Sequence, residues 1–204
     1  MAIRTLAFAL LVIARTAAAD PPPAPRWDFG LVFAGGAEQI GDRTFAQIGV
    51  STWLGRRVTP NVSVTARGEL LTTNADASDG TVIIGETMRG FVGIDWRVLA
   101  TDKAFMPQLF VDAGVGRELT AWDRGTVGRE LVFVGIESRQ GFDIPQDGAI
   151  HGVSRMGMPM GLRLQLAPAI DSLTIARACS QCGTPPPAHT DLAILFYYGL
   201  EFGR

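Results

Sequence analysis

The stretch "DLAILFYYGLEFGR" at Asp191–Arg204 has two unlike faces when it is read at every second residue. Leu192, Ile194, Phe196, Tyr198, Leu200 and Phe202 are all large and apolar. Ala193, Leu195, Tyr197, Gly199, Glu201 and Gly203 are mostly small or polar. Successive side chains of a β-strand point to opposite sides, so a strand built this way must set its bulky face against something dry. That dry phase is either a protein core or lipid, and the choice decides fold class and location.

The pattern recurs along the chain in segments of about ten residues, separated by Gly, Pro, Asn and Asp turns, which is the weak signature of a membrane-spanning barrel. Trp27, Phe29, Leu31 and Phe33 oppose Asp28, Gly30, Val32 and Ala34. Val62, Val64, Ala66, Gly68 and Leu70 oppose Ser63, Thr65, Arg67 and Glu69. Met88, Val92, Ile94 and Trp96 oppose Arg89, Phe91, Asp95 and Arg97. Leu162, Leu164 and Leu166 oppose Arg163 and Gln165, while Pro159 inside the same segment lacks a ladder donor and implies a bulge or a weakened pairing.

Eight spanning strands are expected: Trp27–Gly36, Phe45–Leu54, Val62–Leu71, Glu86–Val98, Gln108–Arg117, Ser154–Leu166, Asp171–Ala178 and Asp191–Phe202. The segment Gly128–Ile144 then falls in a long loop, although Val132, Val134 and Ile136 share a side. It either extends as a hairpin, raises the count to ten, or replaces Asp171–Ala178 as one of eight. The expected fold is thus an all-β, antiparallel, up-and-down transmembrane barrel of about eight strands, with ten as the alternative.

Ahead of it, "MAIRTLAFALLVIARTAAAD" has an early Arg4, an apolar run over Leu6–Ala14 and a small-residue exit at Ala17–Ala19. That reads as a secretory signal peptide over residues 1–19. The run is too short to cross a bilayer as a helix. A stiff proline-rich lead-in fills 20–26, and the barrel domain occupies 27–204.

Charge then excludes one class of partner. The chain carries 18 Lys and Arg against 20 Asp and Glu, and loss of Arg4 and Arg15 with the leader makes the remainder more acidic. A nucleic-acid binder would show a basic surface instead. Lys103 is the only lysine, whereas a soluble β-protein coats its solvent face and edges with charge. In a soluble barrel of the lipocalin type the small set Gly30, Val32, Ala34, Gly49, Gly93, Gly114 and Gly116 would have to face water. In a membrane barrel the faces reverse: bulky groups meet lipid and small ones fill a narrow lumen.

The inward set then holds Asp28, Glu69, Asp95, Asp112 and Glu201 with Arg67, Arg89, Arg97, Arg155 and Arg163. Buried charge is costly unless paired, so five acids and five arginines predict a balanced network that plugs the lumen. Arginine suits the task, because its planar fork binds two carboxylates at once. Trp27, Trp96, Tyr198 and Phe202 lie near segment ends, where interfacial aromatic girdles occur.

These features together resemble the small outer-membrane β-barrel proteins of Gram-negative bacteria, the OmpA-like and OmpW-like barrel group. The resemblance covers nearly the whole chain after the leader: alternating strands, "VTPNVSV"-type turns and an amphipathic last strand. It implies an outer-membrane location in contact with lipid, termini in the periplasm and longer loops outside. In that group the final strand usually ends on an aromatic residue, whereas here Phe202 is followed by Gly203 and Arg204.

Other candidate sites are few. Cys179 and Cys182 in "CSQC" lack the βαβ context of a redox motif, and with His151 and His189 the zinc donor set is incomplete, so a loop disulfide is the expectation and no metal or cofactor is assigned. His151 near Ser154, and His189 near Thr190, sit in no hydrolase motif and read as solvated loop residues. Asp95 and Asp112 could resemble a catalytic pair, but the arginines on the same faces favour neutral pairing. "NADASDG" at Asn74–Gly80 lacks a closing glutamate for calcium. A non-enzymatic envelope role is therefore expected, in structure, in contact of the loops 118–151 and 179–190 with a surface partner, or in slow passage of a small solute. A porin-like channel, a soluble periplasmic lipocalin-like binder and a lipid-modifying enzyme are the alternatives.

Overall fold

The computed structural model describes residues 27–40, 43–76, 82–99, 107–144, 153, 155–182 and 190–203. The leader, the proline-rich lead-in, His151, Ser154 and His189 lie outside these residues. Eight strands form a closed barrel in which each pairs antiparallel with its neighbours in sequence and the last returns to the first. They are β1 (Trp27–Ile40), β2 (Arg43–Thr59), β3 (Val62–Asp76), β4 (Val82–Leu99), β5 (Gln108–Ala121), β6 (Thr126–Asp143), β7 (Arg155–Pro168) and β8 (Thr190–Gly203). Among the described residues a single short helix, α1 (Ser172–Ala178), lies between β7 and β8.

The seventh expected strand is a correction. Asp171–Ala178 is not a strand, because its apolar groups repeat at helical rather than two-residue spacing. Ile175, Ala178 and Cys179 are buried together while Leu173 is exposed. The side chain of Asp171 caps α1 by accepting from the Thr174 amide at 3.0 Å. The segment placed in a long loop is instead β6, whose Val132, Val134 and Ile136 face outward and whose Arg129, Leu131, Phe133 and Glu137 face inward. Much of the loop expected over 118–151 is accordingly wall, and only 122–125 and the connection after Asp143 link strands there.

Register fixes the barrel's shape. Following paired residues once round, from Phe29 through Leu54, Ala66, Val92, Val115, Val132, Leu166 and Leu192, returns to β1 at Gln39, ten residues further on. A stagger of ten over eight strands tilts each strand by about 40° to the axis, and each residue then climbs about 2.5 Å. Every residue of that circuit before Gln39 is apolar and faces outward. With this climb the outward apolar residues form a belt about 25 Å tall, the height of a membrane-barrel girdle. Above it, towards α1, outward positions turn polar at Thr44, Thr72, Thr126 and Thr190, while on β4 Val82 and Ile84 stay apolar beyond Glu86.

Orientation of the faces is unambiguous. Phe33 is 73% exposed and Phe196 63%, whereas Leu195 is fully buried and Trp53 only 2% exposed. This is the reverse of a lipocalin, and it makes the chain a membrane barrel. Trp27, Trp96 and Phe202 sit at the end of the barrel that holds the chain termini, and the Arg56 guanidinium lies 5.4 Å from the Trp27 ring. Tyr198 is different: it lies further along the wall, opposite Phe33 and Met160. At Pro159 there is no bulge. The β7–β8 ladder skips Met158 and Pro159 and resumes in the same register, as expected where a donor is missing.

Candidate functional site: the lumen and its cap

An eight-stranded lumen leaves little room, and glycine decides what fits inside. A Cβ at Gly30 would fall 2.1 Å from the Trp53 ring, so the indole lies flat over this glycine. The Arg67 and Arg139 guanidiniums lie 5.0 and 5.6 Å from the same ring. Cation–π contact of this kind gains strength away from water.

Charged side chains fill the axis as a continuous ladder. Nearest the α1 end, Arg129 donates to Glu38, Glu118 and Asp191. Arg89 donates to Glu118 at 2.6 Å and Glu38 at 2.9 Å, and lies 3.7 Å from Glu69. Arg163 links that layer to the next, meeting Glu69 at 2.8 Å and Asp112 at 2.9 Å. Arg67 follows, 3.8 Å from Asp112 and 3.3 Å from Asp95. Arg139 completes the series by bonding Asp95, Glu137 at 2.6 Å and, more loosely, Glu201 at 3.7 Å.

The structure brings Arg67, Glu69, Arg89, Asp95, Asp112, Arg163 and Glu201 into one network. Asp28 and Arg155 are buried at its terminal end, around a small void that Glu201 also lines. Arg97, half-buried at the mouth, lines the same void and donates to the Pro60 carbonyl at 2.8 Å and to Asn61. Sequence reasoning missed Glu38, Glu118, Arg129, Glu137, Arg139 and Asp191. Each lies on a strand that runs further than its apolar core, or on β6. The balance of five and five is also corrected, since the described residues hold nine buried acids and six buried arginines.

Above the ladder sits an apolar cap. Ile40, Phe45 and Ile83, at the upper ends of β1, β2 and β4, pack with Ile175, Cys179 and Cys182, and Trp122 lies against them. The Phe45 and Trp122 rings are 5.2 Å apart. The sulfurs of Cys179 and Cys182 are bonded to each other. The 122–125 turn clamps α1 from its side: the Arg124 amide donates to the Ala178 carbonyl at 3.0 Å, and Asp123 accepts from the Ser180 amide at 2.9 Å. Hydrogen bonds from Ser180, side chain first and backbone amide second, hold the Asp123 carboxyl below the usual aspartate range, and bonds from Thr174 do the same for Asp171. Among the described residues no group of His, Cys, Asp and Glu is arranged to hold a metal ion.

No family model matches the sequence, and no curated protein matches it either. Among solved structures the chain is similar to Neisserial surface protein A, with a TM-score of 0.54 and 7% identity over 90% of this chain and 99% of that one. The fold is that of the small outer-membrane barrels. AlkL, an outer membrane protein solved in lipid bilayers, overlaps less well, at TM-score 0.47 and 12% identity over 92% and 94% of the two chains. Ail of Yersinia pestis gives 0.43 and 9% over 88% and 99%. Identities this low speak for the shared architecture and nothing finer.

Proposed function

We propose that the protein is an outer-membrane barrel that does not conduct, and that it works through the α1 end in envelope structure or contact with a surface partner. The observation that carries this is the filled axis: a ladder of paired charges from Arg129 to Arg139, closed above by the apolar cap. A hydrated pore needs charges that face water, whereas these are spent on each other. The same commitment of carboxylates to arginines supports a non-catalytic reading. The 122–125 turn and residues 169–182, both at the α1 end, are where a partner would touch. Planar-bilayer recording tests the closed state. The expected trace is flat, and steady ion-selective steps would overturn it. Recovery of the protein in the soluble periplasm, with no gel shift on boiling, would reject the membrane location.

A further inference from the structure

The outward wall is not smooth. A groove of about 890 Å³ runs across β4 to β7, with Val92, Val115 and Val132 in its apolar lining, the inward-facing Phe91 and Leu131 at its floor, and open space over Gly90 where a side chain would stand. At its upper rim stand Arg117 and Glu130, register partners on β5 and β6 that both face outward. Along the axis, arginines are joined to acids; on the rim, neither Arg117 nor Glu130 makes an ion pair among the described residues. The Arg117 guanidinium instead turns up the wall towards Gly128, as a long cationic side chain does when it seeks the edge of the hydrocarbon.

We propose that this groove binds a phospholipid with a phosphoethanolamine head group, its acyl chain against Gly90 and the valines. The inference rests on the membrane-spanning reading above. Arg117 would donate to the phosphate, and Glu130 would accept from the ammonium. The rim thus carries one charge of each sign, matching a head group that carries one of each. A phosphocholine head offers no N–H to Glu130, and phosphatidylglycerol offers no cation.

The test uses the folded barrel in detergent, given palmitoyl-oleoyl phosphatidylethanolamine, phosphatidylcholine or phosphatidylglycerol, with retained lipid counted by native mass spectrometry. One phosphatidylethanolamine should be held in preference to the other two. A charge-assisted hydrogen bond is worth enough that R117A should cut retention about tenfold. E130Q should erase the preference over phosphatidylcholine. A Cβ at Gly90 meets nothing within 4 Å, so G90L fills the groove without straining the wall and should abolish retention. Equal retention of all three lipids, no effect of G90L, or a second protein copy seated there would each overturn the proposal while leaving the membrane reading standing. Failure of the barrel to insert into vesicles would overturn both.

Discussion

Replacing Arg163 with methionine is the sharpest probe of the lumen. The guanidinium is 1% exposed and meets Glu69 and Asp112 at 2.8 and 2.9 Å. Its faces are enclosed by Tyr197 at 4.5 Å and Phe133 at 4.7 Å. Methionine keeps the apolar stem and suits those rings, so what is lost is the guanidinium itself. The consequence falls on the acids. Glu69 keeps Arg89 at 3.7 Å, Tyr197 at 3.2 Å and Gln165 at 3.3 Å. Asp112 keeps only Arg67 at 3.8 Å. Breaking a buried pair by removing one partner costs about 3–5 kcal/mol, mostly because a charge is left behind. R163M should therefore lose roughly that much in urea unfolding of the barrel in lipid vesicles, followed by tryptophan fluorescence. Adding D112L removes the stranded carboxylate, so the double variant should be more stable than R163M alone. The reasoning is refuted if R163M costs under about 1 kcal/mol, as an exposed pair would, or if D112L simply adds its own loss.

Two further outcomes are expected. G30A should destabilise the barrel by about 1–3 kcal/mol, since it drives the Trp53 ring off its seat; G68A, whose Cβ meets nothing within 4 Å, should be close to neutral, and equal losses in the two would contradict the assigned faces. The cap should loosen in acid. Asp123 and Asp171 titrate lower in the folded chain than when unfolded, so the support they give is present at neutral pH and lost as pH falls through their depressed folded values. Amide exchange at Ser180 and Thr174 should accelerate there, and unchanged protection down to the acid limit would disprove the clamp.

Much of the wall was legible because a strand that faces lipid on one side must alternate, and residues such as Phe196 and Leu195 obey that rule. Legibility failed where a second constraint acts. On β6 the inward positions include Leu131 and Phe133, so both faces are greasy in mid-strand and the alternation blurs. These two groups pack with Phe91 and Ala167 in the lumen, beside the Arg163 guanidinium. The strand ends are hidden for the opposite reason. Glu38, Glu118 and Asp191 lie beyond the apolar runs that mark their strands, although each keeps inward parity. Parity extended past the last bulky residue would have found all three. Alternation could not reveal α1, which is held by a capping carboxylate and by contacts with Trp122 and Phe45 that are remote in sequence.

Charge along the axis is not merely paired but sorted. Around the cap end, Glu38, Glu69, Glu118 and Asp191 gather about Arg89 and Arg129, with Glu69 also meeting Arg163 at 2.8 Å. Around the terminal mouth, Arg57, Arg97, Arg139 and Arg155 gather against Asp28 and Glu201. The excess of buried acid over buried arginine thus arises towards the cap, while Arg57 and Arg97, half-buried and partly hydrated, offset it at the other end. Such an arrangement makes Arg163 the hinge of the electrostatics, because it alone joins Glu69 in the acidic layer to Asp112 in the layer below. Removing it leaves four acids to two arginines on the cap side and cuts that surplus off from the layer below, which is why it, rather than an arginine at either end, should give the largest loss.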